Sequence, residues 1–231
     1  MGVNVALEGF HAVKHALRFA PDLVDEVVVA DPVTTRALAA RLAPDIAELL
    51  LERAVVAPVA HPTGVRGTAR RPAEHREVLL HRTSPLVLLD APRHAGNAGA
   101  SIRAAAAAGA SGLATTGDLD PWHPTVVRGS AGLHFALPVL HLSEADLSAL
   151  GGPVLVLDGD GADLRPTDLP DDAILVVGSE RAGVGAALRA RADAVIRLPM
   201  RPGVSSLNLA TAVAAALYAW RLTPPAPRRP A

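Results

Sequence analysis

Leu86-Val87-Leu88-Leu89-Asp90 is followed, after a short turn, by Ala98–Ala108 (AGASIRAAAAA) and then Gly109. A continuous apolar run ending at an aspartate reads as a strand buried on both faces. The alanine-rich stretch after it reads as a helix, with Gly109 as its left-handed stop. The alternation continues downstream. Leu113 opens a short apolar stretch, and Thr125–Leu133 suits a helix. Ser143–Leu150 suits another, with Ser143 and Asp146 at capping-box spacing. Val154–Leu157 and Ile174–Val177 are strand runs, each followed by a glycine-rich turn. Ala194–Leu198 is a further strand and Leu207–Leu222 a final helix. Strands alternating with helices predict an α/β fold, a mostly parallel sheet with helices on both faces.

Upstream lies a smaller α/β pattern. Phe10–Phe19 suits a helix, Leu23–Ala30 a strand, Thr34–Leu50 a helix and Ala54–Val59 a second strand. Residues 61–84 are polar, rich in Arg, His, Gly and Pro, and read as a loop or linker. The expected organisation is therefore a small unit over 1–75, a linker over 76–84, a larger unit over 85–222 and a Pro-rich, disordered tail over 223–231.

Of 231 residues, 50% are hydrophobic and 3% aromatic, so the core is built from Val, Leu, Ile and Ala. With no cysteine, disulfides and thiolate metal sites are excluded. Apolar runs break well short of the roughly 18 residues a membrane span needs. The N-terminus lacks the charged stretch and apolar run of a secretory signal, and a cytoplasmic location is expected. The net charge is −1, and among 22 lysines and arginines Lys14 is the only lysine. Arginine suits bidentate phosphate contacts, but a GC-rich genome would enrich it equally, so composition alone does not decide for a nucleic-acid partner.

In such a sheet, ligands sit beyond the C-terminal strand ends. Three segments lie there: Asn97-Ala98-Gly99-Ala100-Ser101-Ile102-Arg103, Gly178-Ser179-Glu180-Arg181-Ala182-Gly183, and Leu198-Pro199-Met200 with Ser206-Leu207-Asn208. Singly, each has an ordinary reading. Asn97, Ser206 and Asn208 could cap helices, Gly99 could permit close packing, and Arg103 and Glu180 could be solvated. Their joint occurrence, in order, at strand ends of one sheet weakens those readings.

Together these segments resemble the three motifs of the SpoU (TrmH-type) family of RNA 2′-O-ribose methyltransferases, in the SPOUT superfamily. The similarity covers roughly residues 85–222 and includes Thr116-Gly117-Asp118 and Val127-Arg128-Gly129-Ser130-Ala131-Gly132. Gly9-Phe10-His11-Ala12-Val13 and Gly64-Val65 also resemble the ribosomal-protein-like RNA-binding domain of many members. Two departures concern the substrate side: a longer or reordered loop after Asp90-Ala91-Pro92, and Arg181 where the family often has glycine.

The resemblance implies a C-terminal trefoil knot and S-adenosylmethionine as cofactor. Gly178, Leu198 and Leu207 would hold that cofactor through backbone groups, with Met200 and Asn208 nearby. It further implies catalysis by Arg103, which would grip the phosphate next to the target ribose, supported by Asn97, Glu180 and Asn208. Arg128 and Ser206 are expected on the RNA, and a homodimer is expected. No metal is required: the His11/His15 pair has helical spacing but no third ligand. Ribosomal RNA is favoured because of the N-terminal unit. The alternatives are a tRNA 2′-O-methyltransferase and a catalytically silent RNA-binding protein of the same fold. A dinucleotide oxidoreductase lacks its G-x-G-x-x-G here. A methyltransferase with a catalytic lysine is excluded on the expectation that Lys14 sits in the wrong unit.

Overall fold

The computed structural model describes residues 4–74, 76–165 and 169–223; most of the expected tail lies outside them. Two sheets form. The first is built by β1 (Asn4–Glu8), β2 (Val24–Val29), β3 (Ala54–Val56) and β4 (Val65–Arg70), in the order β1-β4-β2-β3. Strand β4 runs antiparallel to both neighbours, and β2 and β3 are parallel. Helix α1 (Gly9–Phe19) packs against this sheet. The expected single helix over Thr34–Leu50 is instead two, α2 (Pro32–Leu42) and α3 (Ala47–Glu52). Pro44 separates them because its ring fixes φ and removes a donor.

The polar stretch 61–84 is also corrected, because β4 lies within it and occupies a central position. Val65, Gly67 and Ala69 face inward, while Arg66 and Arg70 face outward and pair with Glu26 and Asp25 of β2, each at 3.3 Å. Further along, Leu79 is buried, and the buried Arg82 donates to the carbonyls of Leu79 and Gly151.

The second sheet has six parallel strands: β5 (Leu86–Asp90), β6 (Gly112–Thr115), β7 (Val139–His141), β8 (Val154–Asp163), β9 (Ile174–Gly178) and β10 (Ala194–Arg197). The order is β10-β8-β9-β5-β6-β7. Alternation along the strands divides the core. Val87, Leu89, Leu175 and Val177 join one apolar cluster with α4 (Ala95–Ala108), α5 (Pro124–Gly129) and α8 (Leu209–Arg221). Leu86, Leu88, Ile174 and Val176 join the other, with Leu79, Leu147 of α6 (Glu144–Ala149) and Leu188 of α7 (Ala186–Ala190). Both faces are covered by helices, which is why the strands read as unbroken apolar runs. The first cluster also takes in Phe10, Val13 and Leu17 of α1, so one core continues from the small sheet into the large one.

Three details match the sequence. Gly109 ends α4 at φ 78°, Ser143 and Asp146 form a complete capping box, and β9 and β10 sit where expected. Strand β8 does not stop at Leu157 in a glycine-rich turn. It runs on through Asp158–Asp163, pairing with β10 across a register shift between Val195 and Ile196.

Candidate active site

The segments following β9 and β10 and the chain entering α8 enclose a cleft of about 470 Å³. Gly178, Leu198, Met200, Leu207 and Asn208 all line it, as do Glu180 and Ser206. The turn after β9 closes on itself: Ser179 and Gly183 each donate a backbone N–H to the other's carbonyl at 3.0 Å. A Cβ on Gly178 would lie 2.0 Å from the Gly183 carbonyl carbon, and Gly183 has φ +67°. Only glycine fits at 178, so backbone rather than side chain forms this wall.

Asn97 Nδ2 donates to Glu180 Oε1 at 2.6 Å, and Asn208 Nδ2 donates to Asn97 Oδ1 at 3.0 Å. One residue from each of the three motifs thus joins a single hydrogen-bonded chain. Asn208 also caps α8, its Oδ1 accepting from the N–H groups of Ala210 and Thr211. Asn97 is no cap: it lies inside α4, and His94 holds the N-terminal position. Burial pushes the Glu180 carboxyl up, but donation from Asn97 and backbone groups, with His94 nearby, outweighs it and holds the group below the usual carboxylate range. Asp90 ties the strand ends together, accepting from Gly185 N–H at 2.7 Å and from the Thr116 hydroxyl at 2.6 Å.

Gly99 has a packing reason. A Cβ there would meet the Val126 carbonyl oxygen at 2.5 Å and Gly129 Cα at 2.8 Å, so it lets α4 and α5 touch backbone to backbone. Arg103 does not line the cleft and is exposed. Six residues along a helix rotate a side chain by about 240°, so Arg103 leaves α4 on a different side from Asn97. Arg128 is exposed and pairs with Glu8 at 3.3 Å. His15 of the His11/His15 pair donates through Nδ1 to the Ala131 carbonyl at 2.7 Å.

Sequence reasoning missed Asp158, Gly159 and Arg197, which also line the cleft. Arg189 holds the Asp158 carboxylate at 2.8 Å, and Arg197 pairs with Asp163 at 2.6 Å. The signal was present: Asp158-Gly159-Asp160-Gly161 directly follows the apolar run Val154–Leu157, where ligand-facing residues collect.

The SpoU rRNA Methylase family model matches residues 84–218. The chain belongs to that family. All three motif segments of this SpoU chain lie inside the match, and the small N-terminal sheet lies outside it. A 23S rRNA (uridine(2479)-2′-O)-methyltransferase of Streptomyces viridochromogenes is 35% identical over 144 residues, 57% of this chain and 50% of that protein. The 23S rRNA (guanosine(2553)-2′-O)-methyltransferase RlmP of Bacillus subtilis is 30% identical over 221 residues, 92% of this chain and 86% of that one. The chain therefore spans half the length of the first relative and most of the second. Among solved structures, the SpoU methyltransferase AviRb of Streptomyces viridochromogenes in complex with AdoMet superposes with a TM-score of 0.75 at 25% identity. That superposition covers 94% of this chain and 89% of AviRb.

Proposed function

We propose that this chain methylates a ribose 2′-hydroxyl of ribosomal RNA with S-adenosylmethionine as donor. The observation that carries the reading is the Asn97–Glu180–Asn208 hydrogen-bonded chain beside a cleft lined by all five expected cofactor residues. The relatives' names and the AdoMet complex of AviRb support the same substrate class and cofactor.

The cleft suits the cofactor on its own chemistry. Gly178 offers a wall no side chain could share, Leu198, Met200 and Leu207 offer apolar surface for a flat ring, and the Asp158 and Glu180 carboxylates suit a cationic ligand. When bound, the donor would supply an electrophilic methyl on a sulfonium, passed to the ribose 2′-oxygen as the neutral thioether S-adenosylhomocysteine leaves. The protein's own work is placement. Asn97, Glu180 and Asn208 fix the loops relative to α4. Arg103 grips the phosphate beside the target ribose and orients the 2′-hydroxyl. A guanidinium stays protonated, so the hydroxyl proton leaves to phosphate or water.

Within this proposal, residues 1–75 form the RNA-selecting unit, the segment 76–84 joins it to the methyltransferase unit over 85–222, and the C-terminal loops are threaded as a trefoil knot. The enzyme acts as a cytoplasmic homodimer. Exposed Val204 and Tyr218, before and on α8, supply apolar surface for a second copy. Arg128 and Ser206 contact RNA. The test is transfer of a radiolabelled methyl group to purified 23S rRNA, with the modified position mapped as a 2′-O-methyl nucleotide. Binding of S-adenosylmethionine without transfer to any ribosomal RNA would overturn the assigned substrate.

A further inference from the structure

Lys14 was set aside in the sequence because it lies in the N-terminal unit. The fold brings it to Arg103. Both α1 and α4 pack on the short turn Leu133–Phe135. His15 donates to the Ala131 carbonyl at 2.7 Å, and a Cβ on Gly132 would lie 2.7 Å from the Ala12 carbonyl oxygen, so α1 is seated tightly there. Helix α1 carries His11, Lys14 and Arg18 at spacings of three and four, one helical stripe. Arg18 is neutralised by a two-pronged pair with Asp45 at 2.6 and 2.5 Å.

Lys14 and Arg103 have no such partner. Neither side chain makes a hydrogen bond or an ion pair among the described residues, whereas Arg18, on the same stripe as Lys14, is held by Asp45. Burial, then Arg18 and Arg103, push the Lys14 ammonium below its usual range, and Asp45 only partly opposes them. Burial, Lys14 and Arg103 act likewise on His11. Two cations held in each other's field without a carboxylate between them are a cost to the empty protein. An anion bridging them relieves it.

We propose that Lys14 and His11 of α1 and Arg103 of α4 form one phosphodiester-binding site, half of it supplied by the N-terminal unit and half by the methyltransferase sheet. This rests on the proposed RNA methylation and names the groups that receive the backbone beside the target ribose. The ammonium is a compact point charge with three donors, and Arg103 adds a planar fork, so the two grip one phosphate from two sides. The N-terminal unit then does more than tether the RNA. It completes the phosphate grip at the residue expected to orient the 2′-hydroxyl.

The single lysine makes the test specific. Sulfo-N-hydroxysuccinimide acetate can acylate only Lys14 and the α-amino group, and peptide mass spectrometry separates the two. Saturating 23S rRNA should slow acetylation of Lys14 at least about fivefold and leave the α-amino group unaffected, with protection lost as salt rises from about 50 to 200 mM. Protection should also weaken in Arg103→Gln. In methyl transfer, Lys14→Gln should raise KM for rRNA about tenfold with kcat within about twofold, and Lys14→Arg should recover most of the loss. Unchanged S-adenosylmethionine affinity certifies that each variant is folded. Equal acetylation of Lys14 with and without bound rRNA would overturn the site, as would a normal KM in Lys14→Gln. Should the wild type protect Lys14 yet methylate no rRNA, the phosphate site stands and the methyltransferase reading fails. Should transfer proceed with Lys14 unprotected, only the site fails.

Discussion

Asn208 reaches across 111 residues of chain to donate to Asn97 at 3.0 Å, while its own carbonyl oxygen caps α8. One amide thus serves two ends: the acceptor holds the helix and the donor holds the site. The two duties separate by substitution. Asn208→Asp keeps a carboxylate acceptor at a helix N-terminus, where negative charge is favoured, but loses the donor to Asn97. Its melting temperature should stay within a few degrees of wild type, while affinity for S-adenosylmethionine falls about tenfold. Asn208→Ala loses both, with stability lower by about 1 kcal/mol as well. Wild-type affinity in Asn208→Asp, measured by calorimetry, would remove the donor from the account.

The two motif glycines should fail differently. Gly178→Ala places a methyl 2.0 Å from the Gly183 carbonyl carbon, so the cofactor turn must open, and binding should be lost. Gly99→Ala drives a methyl into the Val126 carbonyl oxygen at 2.5 Å, on the α4–α5 contact. Overpacking there should cost on the order of 1–3 kcal/mol in urea denaturation, with cofactor affinity retained in the folded fraction. Equal loss of cofactor binding in both variants would contradict the division.

What the sequence shows and hides follows from where the information resides. Strands β5 and β9 are legible because burial on both faces demands unbroken apolar runs, and the ends of α4 and α6 because Gly109 and Ser143 act locally. Strand β4 is hidden. Its inward positions Gly67 and Ala69 are too small to mark an apolar face, and its outward arginines read as loop until Glu26 and Asp25 of β2 are set beside them. The site residues Asn97, Glu180 and Asn208 are legible through the family resemblance, but their bonds to one another are not, since they join segments far apart in the chain. Asp158 was missed because its strand continues past Leu157 into a glycine-containing stretch that reads as a turn.

Acid should unfold the protein partly through His134. The ring is buried: Nε2 donates to the Pro121 carbonyl at 2.8 Å, and Nδ1 lies 2.7 Å from the Ser130 hydroxyl. Burial pushes its pKa down to about 4, from an ordinary value of 6.5. The unfolded chain therefore takes up the proton first as pH falls, and the fold loses stability between about pH 6.5 and 4. From pH 7.5 to 5 this group alone should account for roughly 2 kcal/mol. His15, also lowered to about 4 by burial, acts in the same direction. His134→Gln should be less stable at pH 7.5 but lose less on acidification. An identical loss in both proteins, read from urea midpoints, would exclude His134 as a source.

In the proposed homodimer, a second copy completes the reaction centre that Arg103 serves. It leaves α4 away from Asn97 and does not line the cleft holding Leu207 and Met200. A guanidinium that orients the ribose must nevertheless come near the methyl donor, and a partner's cleft, brought up by the exposed apolar residues Val204 and Tyr218, satisfies both constraints. Arg103→Ala should then abolish methyl transfer and leave cofactor binding intact. Leu207→Arg, which puts a charge into the cleft, should lose both. Mixed under conditions that exchange subunits, the two inactive proteins form some dimers in which one site combines an intact Arg103 with an intact cleft. The mixture should regain up to about a quarter of wild-type activity, since about half of the dimers are mixed and each carries one good site of two. In a self-contained site every subunit bears a lesion and the mixture stays inactive. Exchange proven by native mass spectrometry with no recovered activity would assign Arg103 to the cleft of its own chain.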